Sequence, residues 1–416
     1  MIRRRQVVVG LAFLASTLGY TDRVNISVAA VAMKEHLGWS QTQKGVVLSS
    51  FFVGYMVFMF AAGLLATRYG GKVVLGVSVV TWSLFTLVTP LAATTSMTAL
   101  LAVRIGMGIG EAGMYPATYE LFGRWVPLTE RARAVARLLS GVPFGTVVGL
   151  LVTGWLVQRY GWPMAFYAFG ALGLVWAVVW FREVENSPAS DARVTPGERA
   201  VLSADAPTAR QAVRPSLRLL LLRAPVVGIV AGHFASTWSL YVLLSWLPSY
   251  FREVQHLGFA NAGLFSAGPW LAMFAVTNVG AAISDRMIAR GVSVTATRKW
   301  MQCTGLAVSA LFLLATRSAD TPVTALALVC AATGALGLTW CGYAPGIIDV
   351  LPHHSAVLGG FSNTVATIPG IVGVAAIGWL VDVTGTYSAG FVLTAAVSAA
   401  GALAFGLLFD ARPLAT

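Results

Sequence analysis

The sequence predicts an all-α integral membrane protein, with twelve transmembrane helices in two pseudo-symmetric six-helix bundles. Three observations predict it. Charged residues make up 11% of the 416-residue chain and hydrophobic ones 57%, with a mean hydropathy of +0.76. Soluble domains carry about a quarter charged residues. Twelve apolar segments follow one another, each about 20 residues, the length a helix needs to span a bilayer. Part of the chain also repeats itself. Val147–Gly161 (VVGLLVTGWLVQRYG) aligns without gaps on Ile371–Gly385 (IVGVAAIGWLVDVTG), with seven of fifteen positions identical at an offset of 224 residues. The loops Gly63–Lys72 and Gly280–Arg290 show the same duplication at about that offset.

The segments fall at approximately 6–30, 44–66, 73–93, 98–123, 138–158, 163–182, 225–250, 262–284, 300–317, 323–345, 358–381 and 389–410. An even count puts both termini on one side. The net charge of +12 would suit a nucleic-acid binder, but the basic residues are scattered through short loops, so no nucleic-acid partner is expected. The positive-inside rule accounts for them better. With the N-terminus inside, 21 of the 28 Lys and Arg are cytoplasmic, five lie outside (Lys34, Lys44, Arg159, Arg252, Arg317), and Arg23 and Arg104 are within the membrane. The first segment follows Arg3–Arg5 directly and is too long for a removed signal peptide, without its cleavage signature. The stretch Arg182–Arg223 holds Pro188, Pro196, Pro207 and Pro215 with charges of both signs and reads as a linker. The expected domains are therefore a bundle over 1–182, a linker over 183–223 and a bundle over 224–416. Within the linker, Thr195–Ala204 is the piece expected to form a short interfacial helix. Cys303, Cys330 and Cys341 lie in apolar segments without ligand-like spacing, so neither a disulfide framework nor a metal site is expected.

The chain turns on Leu100–Trp125, LLAVRIGMGIGEAGMYPATYELFGRW. It is apolar enough to cross a bilayer yet carries Arg104 and Glu111. Seven residues are close to two helical turns, so both side chains face the same way. Charges in hydrocarbon cost several kcal/mol unless they pair or meet water. Gly106, Gly108, Gly110 and Gly113 leave this helix slender, so a neighbour can approach its backbone. Pro116 is expected to bend it past the charged region. Arg104 is the substrate candidate, because guanidinium is always charged and grips a carboxylate with a planar fork. The alternative is a structural Arg104–Glu111 pair. Glu111 is the proton-coupling candidate, since burial and a nearby arginine push its ionisation in opposite directions; the alternative is a permanently ionised partner of Arg104. Asp22 and Arg23 are adjacent on the first helix and point about 100° apart, so they cannot both face one partner.

Longer motifs carry a family resemblance. They are Gly19-Tyr20-Thr21-Asp22-Arg23-Val24-Asn25, Trp39-Ser-Gln-Thr-Gln-Lys44-Gly45, Leu48-Ser-Ser-Phe-Phe-Val-Gly-Tyr55, Arg104 with Glu111 seven residues on, Glu130-Arg131-Ala132-Arg133-Ala134, Ser245-Trp246-Leu247-Pro248-Ser249-Tyr250-Phe251, and Gly360-Phe-Ser-Asn363-Thr364. Together they resemble the major facilitator superfamily and, within it, the anion:cation symporters, which include bacterial sugar-acid transporters, vesicular glutamate transporters and sialin. The superfamily's Gly-x-x-x-Asp-Arg-x-Gly motif has Thr67 in place of its Asp here, whereas the second copy keeps Asp285-Arg286. Gly141-Val-Pro143-Phe-Gly145 is faintly similar to a motif of drug/proton antiporters, but Gly and Pro are common in membrane helices for packing alone.

The resemblance implies that Arg104 binds a substrate carboxylate, that Asp22 and Glu111 take protons, and that Arg23 reaches the substrate. Tyr20 and Asn25 flank that pair as hydrogen-bonding groups. Asn363 and Thr364 match a pattern beside the family's central cavity, and Tyr241 is the second-half residue added to the substrate set. Trp238, Asn278, Tyr343 and Ser362 read as helix–helix and interface contacts, His233 as structural, and Asp349 with His353-His354 as a helix end. Apart from Asp349, membrane-buried acids and bases are expected in the first half only. The function expected is a monomeric, proton-coupled symporter importing a small organic anion, a hexonate or hexuronate, by alternating access. No cofactor beyond the coupling proton is expected, and no enzyme: metal spacing, a His-acid pair and a nucleophile motif are all missing. A drug/proton antiporter and a non-transporting anion sensor are the alternatives. A compact chain rich in Ala, Arg and Gly points to a bacterial inner membrane with both termini cytoplasmic.

Overall fold

A computed structural model describes residues 3–204 and 222–414. Among them there is no β-strand. A bilayer leaves little choice, since only a helix satisfies every backbone group within its own segment. The chain runs α1 (Arg4–Leu37), α2 (Gln41–Tyr69), α3 (Gly71–Thr95), α4 (Met97–Glu111), α5 (Met114–Trp125), α6 (Leu128–Tyr160) and α7 (Trp162–Glu183). A short α8 (Pro196–Ala204) follows, where the interfacial helix was expected. Residues 205–221 of the expected linker, with Pro207 and Pro215, lie outside the described residues. Then come α9 (Ala224–Glu253), α10 (Phe259–Ala289), α11 (Val294–Ala315), α12 (Pro322–Leu338), α13 (Tyr343–Val350), α14 (Ser355–Thr384) and α15 (Ser388–Leu408).

Among the described residues, eleven helical runs are long and apolar enough to cross a membrane, with α4–α5 and α12–α13 each counting as one run. The twelfth expected span, 300–317, folds as α11. Arg298, Lys299 and Gln302 near its start hold down its apolarity. Arg298 is neutralised there by Asp349, with Nε–Oδ2 at 2.9 Å.

The helix ends follow local chemistry. Ser96, Ser293 and Thr321 each accept a hydrogen bond from the backbone N–H three residues on, capping α4, α11 and α12. The internal repeat ends in the same device twice. Gly161 closes α6 at φ +85° and Gly385 closes α14 at φ +69°, a conformation that residues with a Cβ avoid.

The residues group into two compact units, Met1–Met33 with Ser50–Gln211 and Lys34–Ser49 with Ala212–Thr416. In the first, α3 packs against α4, α5 and α7, and α6 against α7. In the second, α11 packs against α12 and α15, while α9 packs against α14 and α15. The roles of α3 and α11 correspond, as a duplication requires.

Glycines set the approach of α4. A Cβ on Gly108 would strike the backbone of Phe51 and Tyr55 on α2, and one on Gly110 would lie 2.9 Å from the Trp82 nitrogen on α3. The slender helix expected from the sequence is therefore held between two neighbours. The bend falls past the charged region, as expected: the helix breaks at Ala112–Gly113, directly after Glu111. Pro116 has no N–H for the Ala112 carbonyl four residues back, and its ring crowds that carbonyl, so the disruption falls one turn upstream. Gly141 and Gly145 face Phe13, Ser16 and Thr17 of α1, which is a packing role.

Candidate functional site

Four charged side chains are sequestered inside the first unit. Asp22 is 2% exposed, Arg23 6%, Arg104 1% and Glu111 0%. Asp22 and Arg23 come from α1, Arg104 and Glu111 from α4. Gly19 of α1 lies against this region: a Cβ there would stand 3.2 Å from Met114 Sδ on α5 and in ordinary contact with Glu111 Oε1 at 3.6 Å. Each of the four lies within electrostatic range of at least two of the others.

The pairing departs from one sequence alternative. Glu111 does not pair with Arg104; its Oε1 accepts a hydrogen bond from Arg23 Nη2. Spacing along α4 aligned Arg104 with Glu111, but the closest base across the interface belongs to α1. The Arg23 guanidinium also lies over the rings of Tyr20, Phe51 and Tyr55, at 4.8, 4.9 and 5.0 Å from their centroids. That cage fixes its direction.

Arg104 is left differently. Among the described residues no carboxylate lies within ion-pair distance of it. Its Nη1 meets the sulfur of Met107 at 3.0 Å, its Nε has no acceptor, and the Phe51 ring lies 5.6 Å away. Asp22 faces the Trp82 indole and Arg104, yet neither of its oxygens has a well-formed hydrogen bond, and neither does Trp82 Nε1. Glu111 Oε2 and both amide atoms of Asn25 are buried and unsatisfied as well. Buried polar groups are nearly always bonded, so this concentration of open donors and acceptors makes the cluster the candidate site.

The second-half candidates stand in the second unit. Tyr241 on α9 is half-buried, and Asn363 and Thr364 on α14 are exposed. Thr364 Oγ1 donates to the carbonyl of Gly360 within its own helix at 2.9 Å. Beside them Ser362 is buried against His233 Nδ1 at 2.9 Å, and the His233 ring stacks on Tyr343 at 4.1 Å. This fits the structural part expected of His233. The side chain of His353 lies outside the described residues.

Sequence reasoning missed two features. Phe51, Tyr55 and Trp82 wall the charged cluster, and their aromatic character in apolar helices gave no signal apart from ordinary packing. The second is an error of placement. Lys44, assigned to an outside loop, has a fully buried side chain that donates to Ser249 Oγ and Glu253 Oε1 at 3.0 Å each and lies 4.7 Å from the Trp246 ring. Glu253 also receives Tyr387 Oη at 2.8 Å and Lys34 Nζ at 3.4 Å. Two residues before Glu253, the apolar run of α9 ends, and that position was the available hint of a helix-end pair.

Residues 12–374 match the family description Major Facilitator Superfamily. The chain belongs to this superfamily. Among its relatives are a probable anion transporter 4, chloroplastic, of rice (37% identical, covering 91% of this chain and 64% of its own length) and a sodium-dependent phosphate transport protein 1, chloroplastic, of Arabidopsis thaliana (37% identical, covering 91% and 74%). An ascorbate transporter, chloroplastic, of Arabidopsis is 35% identical over 97% of this chain and 74% of its own. The chain thus spans just under two thirds of the rice relative. The solved structures include a bacterial homologue of the human lysosomal transporter Spinster, inward-facing and occupied (TM-score 0.76, 18% identity, covering 97% and 95%), and a D-xylose–proton symporter (TM-score 0.76, 16% identity, covering 98% and 99%). These confirm the all-α two-bundle fold of the superfamily. The relatives are transporters and not enzymes, as expected. They correct the expectation of a bacterial inner-membrane protein: these relatives are chloroplastic proteins of plants. The multi-pass character stands.

Proposed function

We propose that this chain is a secondary transporter that carries a small organic anion together with protons by alternating access, with a sugar acid as the cargo. The observation that carries the reading is Arg104, a buried guanidinium without an ion-pair partner among the described residues. Leaving a charge buried and unpaired costs several kcal/mol, and an incoming carboxylate would remove that cost. The anion-transporter relatives, one of them for ascorbate, support the cargo class.

Coupling follows from the neighbouring pair. While Glu111 is ionised it occupies Arg23. A proton on Glu111 neutralises it and frees the Arg23 guanidinium for the anion, so proton and anion favour one another's binding. Asp22, facing Arg104 without a hydrogen bond of its own, serves as a second proton acceptor. Tyr20 and Asn25 supply hydrogen bonds on the α1 side, with Tyr241, Asn363 and Thr364 as the second-half contributors. A buried, aromatic-walled arginine pair suits an anion far better than a cationic drug.

A second reading has sodium as the coupling ion and phosphate as the cargo, favoured by the sodium-dependent phosphate transport protein among the relatives. Uptake by purified protein in liposomes separates the two. Galactonate, glucuronate, gluconate, ascorbate and phosphate are offered under an inward proton gradient or an inward sodium gradient. Accumulation of a sugar acid under the proton gradient alone is the expected result. Accumulation that needs sodium would replace this reading with the second, and the absence of flux with anion binding intact would leave a sensor.

A further inference from the structure

Outside the charged cluster, the first unit carries a second concentration of cations at the N-terminal ends of α1 and α6. A cavity of about 190 Å³ is lined there by Arg3, Arg5, Arg133 and Arg137, with Glu130 as the acid among its lining residues. The acid is already engaged. Arg5 holds both oxygens of Glu130 at 2.9 Å and reaches Glu198 at 3.4 Å, while Arg3 adds a distant contact of 3.9 Å. Arg133 and Arg137 are exposed and have no ion pair among the described residues. They stand four residues apart on one face of α6, where like charges repel. Arg131, between them and the loop, is tied to the carbonyls of Val126 and Gly123 and does not share in the cavity.

The cavity has a definite position along the helices. Past Arg137 the same face of α6 turns apolar at Phe144, which is exposed and whose ring lies 5.9 Å from Phe13 on α1. Seven residues of helix separate Arg137 from Phe144, about 10 Å. That is the arrangement a lipid presents in reverse, a charged head with an acyl chain running beside it.

We infer that this cavity is a binding site for the phosphate of an anionic glycerophospholipid headgroup. Arg133 and Arg137 grip the phosphate, Arg3 adds charge from the open side, and the acyl chain lies along Phe144 and Phe13. Paired Arg5 and Glu130 form the floor. The site is independent of the transport reading, because none of its residues belongs to the cluster around Arg104.

The test uses the purified full chain in detergent, with retained lipid counted by native mass spectrometry. Phosphatidylglycerol, phosphatidylcholine and inorganic phosphate are the probes. Phosphatidylglycerol is expected to bind well above phosphatidylcholine. The double variant Arg133→Gln/Arg137→Gln is expected to lose about fivefold in affinity per arginine, about twenty-five-fold together. Arg133→Lys/Arg137→Lys should keep most of it, and serves also if the glutamine variant fails to fold, since the wild type and the lysine variant then give the preference over phosphatidylcholine. Equal retention of the two lipids by the wild type overturns the proposal, and so does undiminished phosphatidylglycerol binding in a folded glutamine variant. Inorganic phosphate binding as tightly as phosphatidylglycerol overturns the lipid as the source and leaves a free oxyanion.

Discussion

The two units bury charge in opposite ways. In the second, Lys44 is fully buried and Glu253 largely so, and both are partnered: Ser249, Tyr387 and Lys34 complete the shell, and Trp246 covers the ammonium. In the first, Arg23 and Glu111 form a comparable pair, but Asp22, Arg104 and Asn25 beside them keep unmade hydrogen bonds. A satisfied pair holds helices together. An unsatisfied group next to one has been left for a visitor or a proton. The difference teaches where to look for function: not where charge is buried, but where buried charge is incompletely partnered.

Substitutions sharpen that contrast, beginning with the largest effect. Arg104→Ala should abolish uptake, at least a hundredfold in initial rate given the roughly 3–5 kcal/mol lost when one partner of a buried charge pair is removed. Liposome uptake with matched protein levels checks it, and normal uptake would sink the role given to Arg104. Glu111→Gln comes next. It should hold the accumulation ratio near about one under a proton gradient while anion exchange continues, because the linkage to the proton is what it removes. Continued uphill accumulation by that variant would take Glu111 out of the coupling.

In the second unit the expected losses are of stability and not of transport affinity. Glu253→Gln leaves Lys44 buried with Ser249 alone and should cost about 3 kcal/mol. Thermal unfolding should show this, with the apparent anion affinity unchanged; a large affinity change instead would mean that the closed pair also serves the site. The smallest effect concerns the stretch of the first unit that follows α7. Burial pushes the Asp191 carboxyl up, but hydrogen bonds from Arg193 and the charge of Arg4 outweigh it and hold it below its ordinary 3.8. A depressed value means the contribution to stability is present above that ordinary value and is lost as pH falls through the lower folded one. Asp191→Asn should therefore destabilise slightly near neutral pH and converge on the wild type once the pH falls below the depressed folded value, as read from paired melting curves.

Much of this was legible in the chain itself. Apolar length gave the spans, and the Gly-Trp-Leu-Val repeat gave the duplication that recurs as paired glycine caps at Gly161 and Gly385. Arg104, Glu111, Asp22 and Arg23 stood out because charge in an apolar run is costly. Which base would meet Glu111 was not legible, since spacing describes one helix and the pairing is decided by the rotation of α1 against it. Lys44 was misplaced for a related reason. Hydropathy locates the membrane edge only to within a turn or so, and a lysine at that edge can extend outward or fold back onto Glu253.

Asp22, Arg23, Arg104 and Glu111 sum to zero formal charge. Under the coupling proposed here, a monovalent anion entering with one proton leaves that sum at zero, so the membrane voltage has no net charge to pull on in either the empty or the loaded crossing. With two protons the loaded form is positive, and each 100 mV adds about 2.3 kcal/mol of drive. The proton count of the cycle can therefore be read by clamping the potential across the liposome at fixed pH and watching whether the rate responds.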